Sequence, residues 1–418
     1  MNVVISNTTL LNTGDAAIVE ATVAVLRRSF IGDMRVVCYD ANPLAAADYR
    51  SGLATRQAIF DQVARWGGSG LRRKAALIWV LVAARLMRAG RFARMIPLPA
   101  ALTHALTEYH AADVVISAGG TYLVPNYRLA PRIYDFLVTL ALGRPLVLFT
   151  QSLGPFPPGR DRLLLRFVLR RVRLILVRDG QSAHHLAGLG VSPSRIAECA
   201  DAAFGLAPEA LDTKPRRRNT PPRIAVSVRD WPFIDGKDGA GTMERYLDAV
   251  ATFVTWIVEN EQATVVFISS CQGVPDYWTD DSQTARRVVD RLPSHVGRNV
   301  TVDSAFRSPT ELIERLRPFD AVIATRMHVA ILALCAGVPV IPIAYEFKTR
   351  ELARRLGLCD VLQDIAQVSA ASLLAAWRLL RRNRAALEMD LQRRVVLARQ
   401  SAMESGRLAM MATLREAQ

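Results

Sequence analysis

Short apolar runs alternate with longer segments of helical length and composition along most of the chain. The runs have the length of buried strands, and glycines or polar residues follow most of them. The predicted strands are residues 1–6, 35–39, 113–118, 145–150, 174–177, 195–199, 223–228, 265–269, 322–324 and 338–344. Residues 42–110 are predicted to be mostly helical. Because strands that alternate with helices form parallel sheets, the pattern predicts an α/β chain.

Two series of strands are separated by one proline-rich stretch, which predicts two domains. The predicted ranges are an N-terminal Rossmann-like domain (1–206), a linker (207–222), a C-terminal Rossmann-like domain (223–370) and C-terminal helices (371–418). The predicted fold class is α/β, with two Rossmann-like domains facing a cleft in a glycosyltransferase-B-like architecture. The C-terminal helices are candidates for crossing back onto the first domain.

Residues 320–350 contain a predicted strand, an apolar helix and a second strand. Parallel strands joined by a right-handed crossover end at the same edge of a sheet. Arg326 and His328 follow the first strand, and Lys348 follows the second. We therefore expect these three side chains to converge beside a helix N-terminus, where free N–H groups favour anions. The stretch predicts a site for a small, multiply charged anion.

Glycines at two other strand ends are candidates for close backbone approach to a ligand. Gly14 lies in the turn after the first strand, and Asp15 beside it is predicted to cap the following helix. Gly119 and Gly120 follow the strand 113–118. The glycine spacing in the first turn excludes a dinucleotide-binding fingerprint and a phosphate-binding P-loop.

The composition adds a strong positive charge to this picture. The chain has 418 residues, 51% of them hydrophobic, and a formal net charge of +15. The arginines are dispersed and no nucleic-acid module is recognisable, so we predict no nucleic acid partner and favour an anionic substrate or an anionic membrane surface. Residues 71–94 resemble a basic interfacial helix, and the alternative is a core helix with arginines at its solvent edge.

The sequence also predicts the compartment and the absence of a metal. It has no long uncharged apolar span and opens directly into a strand. We therefore expect no transmembrane helix, no signal peptide and a cytoplasmic location, with the inner membrane face as a candidate peripheral site. The cysteines are scattered and form no C-x-x-C pair, which argues against a zinc site. We expect no cofactor and no metal.

An ordered set of short motifs resembles the polysaccharide pyruvyl transferase family. Each motif is weakly specific, and their order along residues 1–360 is much more specific. The matching pieces are Asn12 to Ile18, Gly119-Gly120, Gln151 to Pro155, Val177 to Asp179, Leu189 to Val191, Asp201 to Phe204, Ser227 to Arg229, Arg326 to His328, Ala336 to Pro339, Tyr345 and Lys348. Residues 42–110 carry no motif.

The resemblance implies transfer of a pyruvyl group from phosphoenolpyruvate to a saccharide. The product would be a pyruvate ketal on a cell-surface polysaccharide or on its lipid-linked precursor. The donor would lie near the second domain and the saccharide near the first. Arg326, His328 and Lys348 would form the donor site, with Arg229 as an addition. The other implied substrate-binding residues are Asn12, Gly14, Gly119, Gly120, Gln151, Ser152, Asp201 and Tyr345.

The chemistry of this donor suits the residue types. Arginine and lysine can hold a phosphate and a carboxylate, and His328 is our candidate for the general acid that protonates the methylene carbon. Asp15 and Asp201 are alternative candidates for the base that activates the sugar hydroxyl. Their alternative roles are a helix cap for Asp15 and a turn former for Asp201.

Two other functions remain open from the sequence. The first is a nucleotide-sugar-dependent glycosyltransferase on the same fold. No Asp or Glu lies between Thr325 and Tyr345, which favours an anion site over a site for ribose hydroxyls. The second is a non-catalytic, basic scaffold at a membrane surface.

Overall fold

The chain divides into two compact units. The computed structural model describes residues 1–49, 52–90, 97–125, 127–156, 158–209, 220–231 and 239–414. Unit 1 consists of Met1–Leu10, Ile18–Gly205 and Gln400–Gln418. Unit 2 consists of Leu11–Ala17 and Leu206–Arg399.

Unit 1 is built on one parallel sheet. Its strands are β1 (Asn2–Thr8), β2 (Arg35–Asp40), β3 (Ala54–Gln57), β4 (Val114–Ser117), β5 (Gly120–Leu123), β6 (Leu146–Leu153), β7 (Leu174–Val177) and β8 (Ile196–Glu198). The order is β3-β2-β1-β4-β6-β7-β8, and β5 pairs with β6. All described pairings are parallel. The strand order reverses between β1 and β4, which is where α/β sheets open a crevice for ligands.

Helices cover the faces of the unit 1 sheet, as a parallel sheet requires. They are α1 (Thr13–Ser29), α2 (Pro43–Tyr49), α3 (Ile59–Gly67), α4 (Gly70–Arg88), α5 (Ala100–Ala111), α6 (Leu129–Ala141), α7 (Arg160–Leu169) and α8 (Gly180–Ala187). Helix α1 belongs to unit 2 at its first residues and to unit 1 thereafter. Strands β4, β6 and β7 are buried along their whole length, which is why the sequence reads there as continuous apolar runs.

Unit 2 repeats the same architecture. Its strands are β9 (Arg223–Ser227), β10 (Thr264–Phe267), β11 (Val300–Val302), β12 (Ala321–Ala324), β13 (Val340–Ala344) and β14 (Gln363–Asp364). They form the order β11-β10-β9-β12-β13-β14 with parallel pairing. The order reverses between β9 and β12. The α/β fold class with two Rossmann-like units is confirmed.

The helices of unit 2 include the predicted crossover helix. They are α9 (Gly239–Glu261), α10 (Asp281–Val289), α11 (Ser294–Gly297), α12 (Pro309–Leu316), α13 (Met327–Cys335), α14 (Phe347–Arg355), α15 (Ala370–Arg382) and the first part of α16 (Arg384–Leu414). Helix α13 joins β12 to β13, and its residues are almost all buried. Gly337 follows it with a φ of 74°, a left-handed conformation that glycine adopts without strain.

The stretch 42–110 is mostly helical, as predicted, but it also contains the short strand β3. The sequence of β3 is Ala-Thr-Arg-Gln, and the strand is not buried. Because this edge strand has no apolar run, the hydrophobic pattern did not predict it.

The ranges of the two units differ from the predicted domains in two places. Residues 11–17 belong to unit 2, and the C-terminal helices are shared, with 371–399 in unit 2 and 400–418 in unit 1. Helix α15 packs on α9, where Trp377 donates a hydrogen bond to Glu261 over 3.0 Å. Most of the predicted linker 207–222 lies outside the described residues.

Candidate functional site

The loops that follow β9 and β12 lie at the point where the strand order of unit 2 reverses. Ser227 pairs with Ala324 in the sheet. Arg229 and Arg326 therefore lie two residues beyond paired positions, at the same edge. Tyr246 on α9 joins the two loops, since its hydroxyl lies 2.8 Å from the Thr325 hydroxyl and it also interacts with the backbone of Arg229. The topology thus places both arginines where ligands of α/β sheets bind.

The first turn of α1 is part of the same edge of unit 2. Asn12 caps this helix, because its side-chain oxygen accepts from the N–H groups of Gly14 (2.8 Å) and Asp15 (3.4 Å). The prediction that Asp15 is the cap was therefore wrong. The N–H of Thr13 donates to the carbonyl of Ser270 over 2.9 Å, and its hydroxyl donates to the carbonyl of Arg307. These bonds hold the start of α1 against the loop after β10.

Gly14 and His328 are in direct contact. A Cβ atom at position 14 would lie 2.7 Å from both the Cβ and the Nδ1 of His328, which is closer than real Cβ contacts allow. His328 is the second residue of α13. The contact therefore joins the first turns of two helices, both of which carry partial positive charge at this end. Only glycine at position 14 lets the imidazole lie there.

Arg326 forms a buried ion pair with Asp281, the first residue of α10. Its Nε and Nη2 donate to the two carboxylate oxygens over 2.7 and 2.6 Å. Ser269 also donates to this carboxylate. Burial alone would lower the pKa of Arg326, but the charge of Asp281 raises it well above its ordinary value. Arg326 was predicted to hold a ligand, but its Nε and Nη2 are hydrogen-bonded to Asp281.

Arg229 lies beside two neighbouring aromatic rings. Its guanidinium carbon is 4.5 Å from the centre of the Trp231 ring and 4.3 Å from that of Tyr345. The side chains of Arg229 and Trp231 are buried. The centres of the two rings are 4.6 Å apart, so both rings lie on the same side of the guanidinium, where they favour its charge. The sequence pointed to Arg229 and Tyr345, but Trp231 was missed as a partner.

Lys348 contacts the same tyrosine ring from the start of α14. Its ammonium nitrogen lies 5.4 Å from the Tyr345 ring centre and 2.8 Å from a carboxylate oxygen of Glu346. Tyr345 thereby links Lys348 to Arg229. The predicted convergence of Arg326, His328 and Lys348 on one ligand stays a prediction.

Asp15 lies near two buried groups that the sequence reading did not single out. Burial raises the pKa of Cys271 to about 12, and the charges of Asp281 and Asp15 act in the same direction. Tyr277 is hydrogen-bonded to the side chain of Asn12, and its pKa is raised mainly by burial. The pair of adjacent aspartates at the start of α10 was the available signal for Asp281, since Asp280 caps that helix.

The candidate glycines of unit 1 have packing roles. A Cβ at position 119 would lie 2.5 Å from the Thr150 hydroxyl and 2.6 Å from the Ile18 side chain. Gly120 has a φ of 150°. The interpretation of Gly119 as a position of ligand approach is therefore replaced by close packing between β4, β6 and α1.

The candidate polar residues of unit 1 belong to a buried hydrogen-bond network. The amide of Gln151 donates to the carbonyl of Ala118 over 2.6 Å, and Ser152 donates to Asp179 over 2.7 Å. Arg178 donates to Ser152 over 2.9 Å and forms a buried ion pair with Asp201. Asp201 also accepts from the N–H of Ala203. These partners give Asp201 a structural role, so we no longer regard it as the candidate base.

The described residues contain no group of three or more His, Cys, Asp or Glu side chains that could hold a metal ion. Within the same residues, no helix combines the length and apolarity that crossing a bilayer requires. The absence of a cofactor stays a prediction.

Comparison with known proteins gives one family and one fold. The family described as polysaccharide pyruvyl transferase matches residues 12–346, a range that ends two residues before Lys348. The amylovoran biosynthesis protein AmsJ of Erwinia amylovora is 26% identical over 297 residues, which are 69% of this chain and 70% of AmsJ.

Proteins of known structure with the same fold are described as acting on sugar nucleotides or are seen bound to them. A Listeria monocytogenes protein described as a UDP-N-acetylglucosamine 2-epimerase has a TM-score of 0.59 and 13% identity, with 100% of this chain and 96% of that one covered. HepE of Anabaena, in complex with UDP-glucose, has a TM-score of 0.58 and 13% identity, with 100% of each chain covered. At such identities the likeness concerns the fold alone.

Proposed function

The chain belongs to the polysaccharide pyruvyl transferase family, and we propose that it transfers the pyruvyl group of phosphoenolpyruvate to two hydroxyls of a saccharide. The acceptor would be a cell-surface polysaccharide or its lipid-linked precursor, and the product a pyruvate ketal. We place the reaction in the cytoplasm, where phosphoenolpyruvate is made. No cofactor or metal takes part in this proposal.

The observation that carries the proposal is the contact between Gly14 and His328. It brings together the N-terminal turns of α1 and α13 at the switch point of unit 2. Free N–H groups and the helix dipoles favour an anion at such a place. A phosphorylated donor bound there would lie beside the imidazole of His328, a type of side chain that can act as a general acid.

Arg229 and Lys348 are our candidates for holding the two anionic groups of the donor. Both contact the ring of Tyr345. The guanidinium of Arg229 is suited to bidentate contact with a phosphate or a carboxylate. Lys348 already contacts Glu346, but an ammonium group has three donors and can hold a second anion as well. Arg326, in contrast to our expectation from the sequence, would act mainly by holding the loop through Asp281.

The proposed chemistry begins with a proton from His328 to the methylene carbon of phosphoenolpyruvate. The neighbouring carbon then becomes electrophilic, and the oxygen of a sugar hydroxyl bonds to it while the hydroxyl proton goes to a base. The bond to the phosphate oxygen breaks, and inorganic phosphate leaves with the electron pair. A second hydroxyl closes the ketal and releases its proton. Asp15 is our remaining candidate for the base, since its side chain is partly exposed in the first turn of α1.

A single substitution tests the role of His328. We expect His328→Ala to lower the rate of phosphate release from phosphoenolpyruvate, measured with candidate lipid-linked saccharides, by about 10²-fold or more. His295→Ala is the matched control, because His295 is exposed and contacts only Glu259 among the partners identified for it. An unchanged rate in His328→Ala would remove the proposed acid.

The glycosyltransferase alternative predicts a different ligand. Isothermal titration calorimetry with phosphoenolpyruvate and with UDP separates the two functions. Binding of phosphoenolpyruvate that is weakened by Arg229→Gln supports the pyruvyl transfer. Tight binding of UDP together with no binding of phosphoenolpyruvate would favour the alternative, which the fold of the solved neighbours also permits.

A further inference from the structure

Unit 1 has a pocket at the opposite end of its strands from the buried network of Ser152 and Arg178. The pocket has a volume of about 910 Å³ and lies where β6, β7 and β8 begin. Helices α4, α6, α7 and α16 contribute the rest of its lining. It shares no residue with the candidate site in unit 2, and nothing in the proposed transfer reaction requires it.

Six arginines from separate parts of the chain line this pocket. They are Arg85, Arg88, Arg144, Arg171, Arg173 and Arg195. The lining residues, all within the described part of the chain, include no Asp or Glu. Arginine side chains that gather at one surface give it a positive potential, which attracts anions. The pocket is therefore complementary to phosphate groups, which arginine binds in a bidentate manner.

Apolar side chains surround the arginines and are exposed. Phe167 on α7 is 47% exposed and Met411 on α16 is 38% exposed, and both line the pocket. The guanidinium carbon of Arg171 lies 3.8 Å from the centre of the Phe167 ring. An aromatic ring beside a guanidinium gives one surface that is both apolar and cationic.

Helix α4 extends this surface beyond the pocket. Its residues Ala76, Val80 and Ala83 face the core. The opposite side of the helix carries Leu71, Ile78 and Val82, which are 81%, 63% and 42% exposed. At about 100° per residue, Arg85 lies on the same side as Ile78 and Val82. The side of the helix that faces away from the core is thus apolar and ends at the arginines.

We propose that this surface docks unit 1 onto a bilayer that contains anionic phospholipids. The arginines would bind lipid phosphates while Ile78, Val82 and Phe167 enter the boundary between head groups and acyl chains. A nucleic acid would also offer phosphates to the arginines, but its phosphate backbone would not bury the exposed aliphatic side chains. The combination of both features favours the lipid surface.

Sedimentation with vesicles tests the proposal on the full-length protein without any substrate. We expect binding to vesicles of phosphatidylcholine mixed with phosphatidylglycerol, little binding to phosphatidylcholine alone, and weaker binding as salt is added. Each arginine near an anionic surface contributes about fivefold to the partition coefficient. The double substitution Arg85→Gln with Arg88→Gln should therefore lower it by about 25-fold.

Two further variants separate charge from apolar insertion. The control Arg298→Gln with Arg382→Gln removes the same net charge as the pocket variant, at exposed positions of unit 2. It should lower vesicle binding much less than the pocket variant does. Ile78→Ser with Val82→Ser keeps every arginine and should still weaken binding severalfold. Circular dichroism checks that each variant is folded.

Three results would overturn the proposal. One is equal loss of binding in the pocket variant and the unit 2 control, since the effect would then be one of net charge alone. The second is binding to single-stranded RNA that is tighter than to anionic vesicles and is lost in Arg85→Gln with Arg88→Gln. The third is an absence of vesicle binding by a folded protein that binds soluble pyrophosphate in the pocket.

Discussion

At the scale of single residues, the contact between Gly14 and His328 constrains the candidate site most tightly. Glycine is needed at position 14 because the imidazole occupies the space that a side chain would take. The sequence interpretation placed Gly14 next to a ligand and His328 at another strand end. Their mutual contact could not be predicted, since it joins the first turn of the chain to a helix more than three hundred residues later.

Gly14→Ala tests this contact. The added methyl group would lie 2.7 Å from His328, so we expect the imidazole to be displaced and phosphate release to fall at least tenfold, as misplacement of a catalytic group does. The control is Gly297→Ala in α11, where a Cβ would meet nothing within 4 Å. That variant should keep full activity. Equal activity of both variants would show that the position of His328 does not matter.

At the scale of elements, the start of α10 positions the loop after β12. Asp281 in that helix neutralises Arg326 and also accepts from Ser269, which follows β10. The ends of β10 and β12 are therefore tied to one carboxylate. The sequence showed both loops and the helix, but it could not assign the partner of Arg326, which lies 45 residues away along the chain.

Asp281→Asn should lower the free energy of unfolding of unit 2 by about 3–5 kcal/mol. The substitution leaves the charge of Arg326 buried without its carboxylate. Asp280→Asn is a matched control one residue earlier, because asparagine caps a helix as well as aspartate does. Urea unfolding followed by circular dichroism measures both. A loss that is no larger for Asp281→Asn than for its neighbour contradicts a dominant role of the ion pair.

At the scale of the whole molecule, charge and fold say little about the reaction by themselves. The same fold occurs in proteins that act on or bind sugar nucleotides, so the function has to be argued from the site. The net charge of +15 is not evenly placed, since six arginines line one pocket of unit 1. Unit 1 also buries a carboxyl group, which makes its stability depend on pH.

Asp135 on α6 should make unit 1 less stable as the pH rises. Burial raises the pKa of Asp135 to about 7, and its Oδ1 has no hydrogen-bond partner among the described residues. The folded chain keeps the proton that the unfolded chain loses from about pH 4 upward. Stability therefore decreases between about pH 4 and about pH 7, by at most about 4 kcal/mol, and levels off above.

Asp135→Asn removes this dependence, because an amide does not titrate in this range. We expect the variant to gain stability relative to the natural protein as the pH is raised from 5 to 8 in urea unfolding experiments. The control is Asp161→Asn, at an exposed carboxyl group of the same unit. Its free energy of unfolding should differ from that of the natural protein by an amount that does not change with pH. A constant difference for Asp135→Asn as well would mean that this carboxyl titrates normally in the folded chain.

The sequence by itself determined most of the elements, the parallel sheets and the edge at which the candidate site lies. Buried parallel strands read as apolar runs, and their order along the chain requires crossovers of one hand, so the loops after β9, β12 and β13 had to meet at one edge. The ordered motifs also indicated the family that the comparisons show.

Only the tertiary structure decided which partner each polar side chain has. Arg326 is paired with Asp281, Arg229 lies beside Trp231 and Tyr345, and Asp201 is paired with Arg178. The arginine pocket likewise gathers residues from distant segments. Such contacts depend on side-chain positions in three dimensions, whereas hydrophobic periodicity is a local property that determines where the backbone runs and leaves open which charges meet.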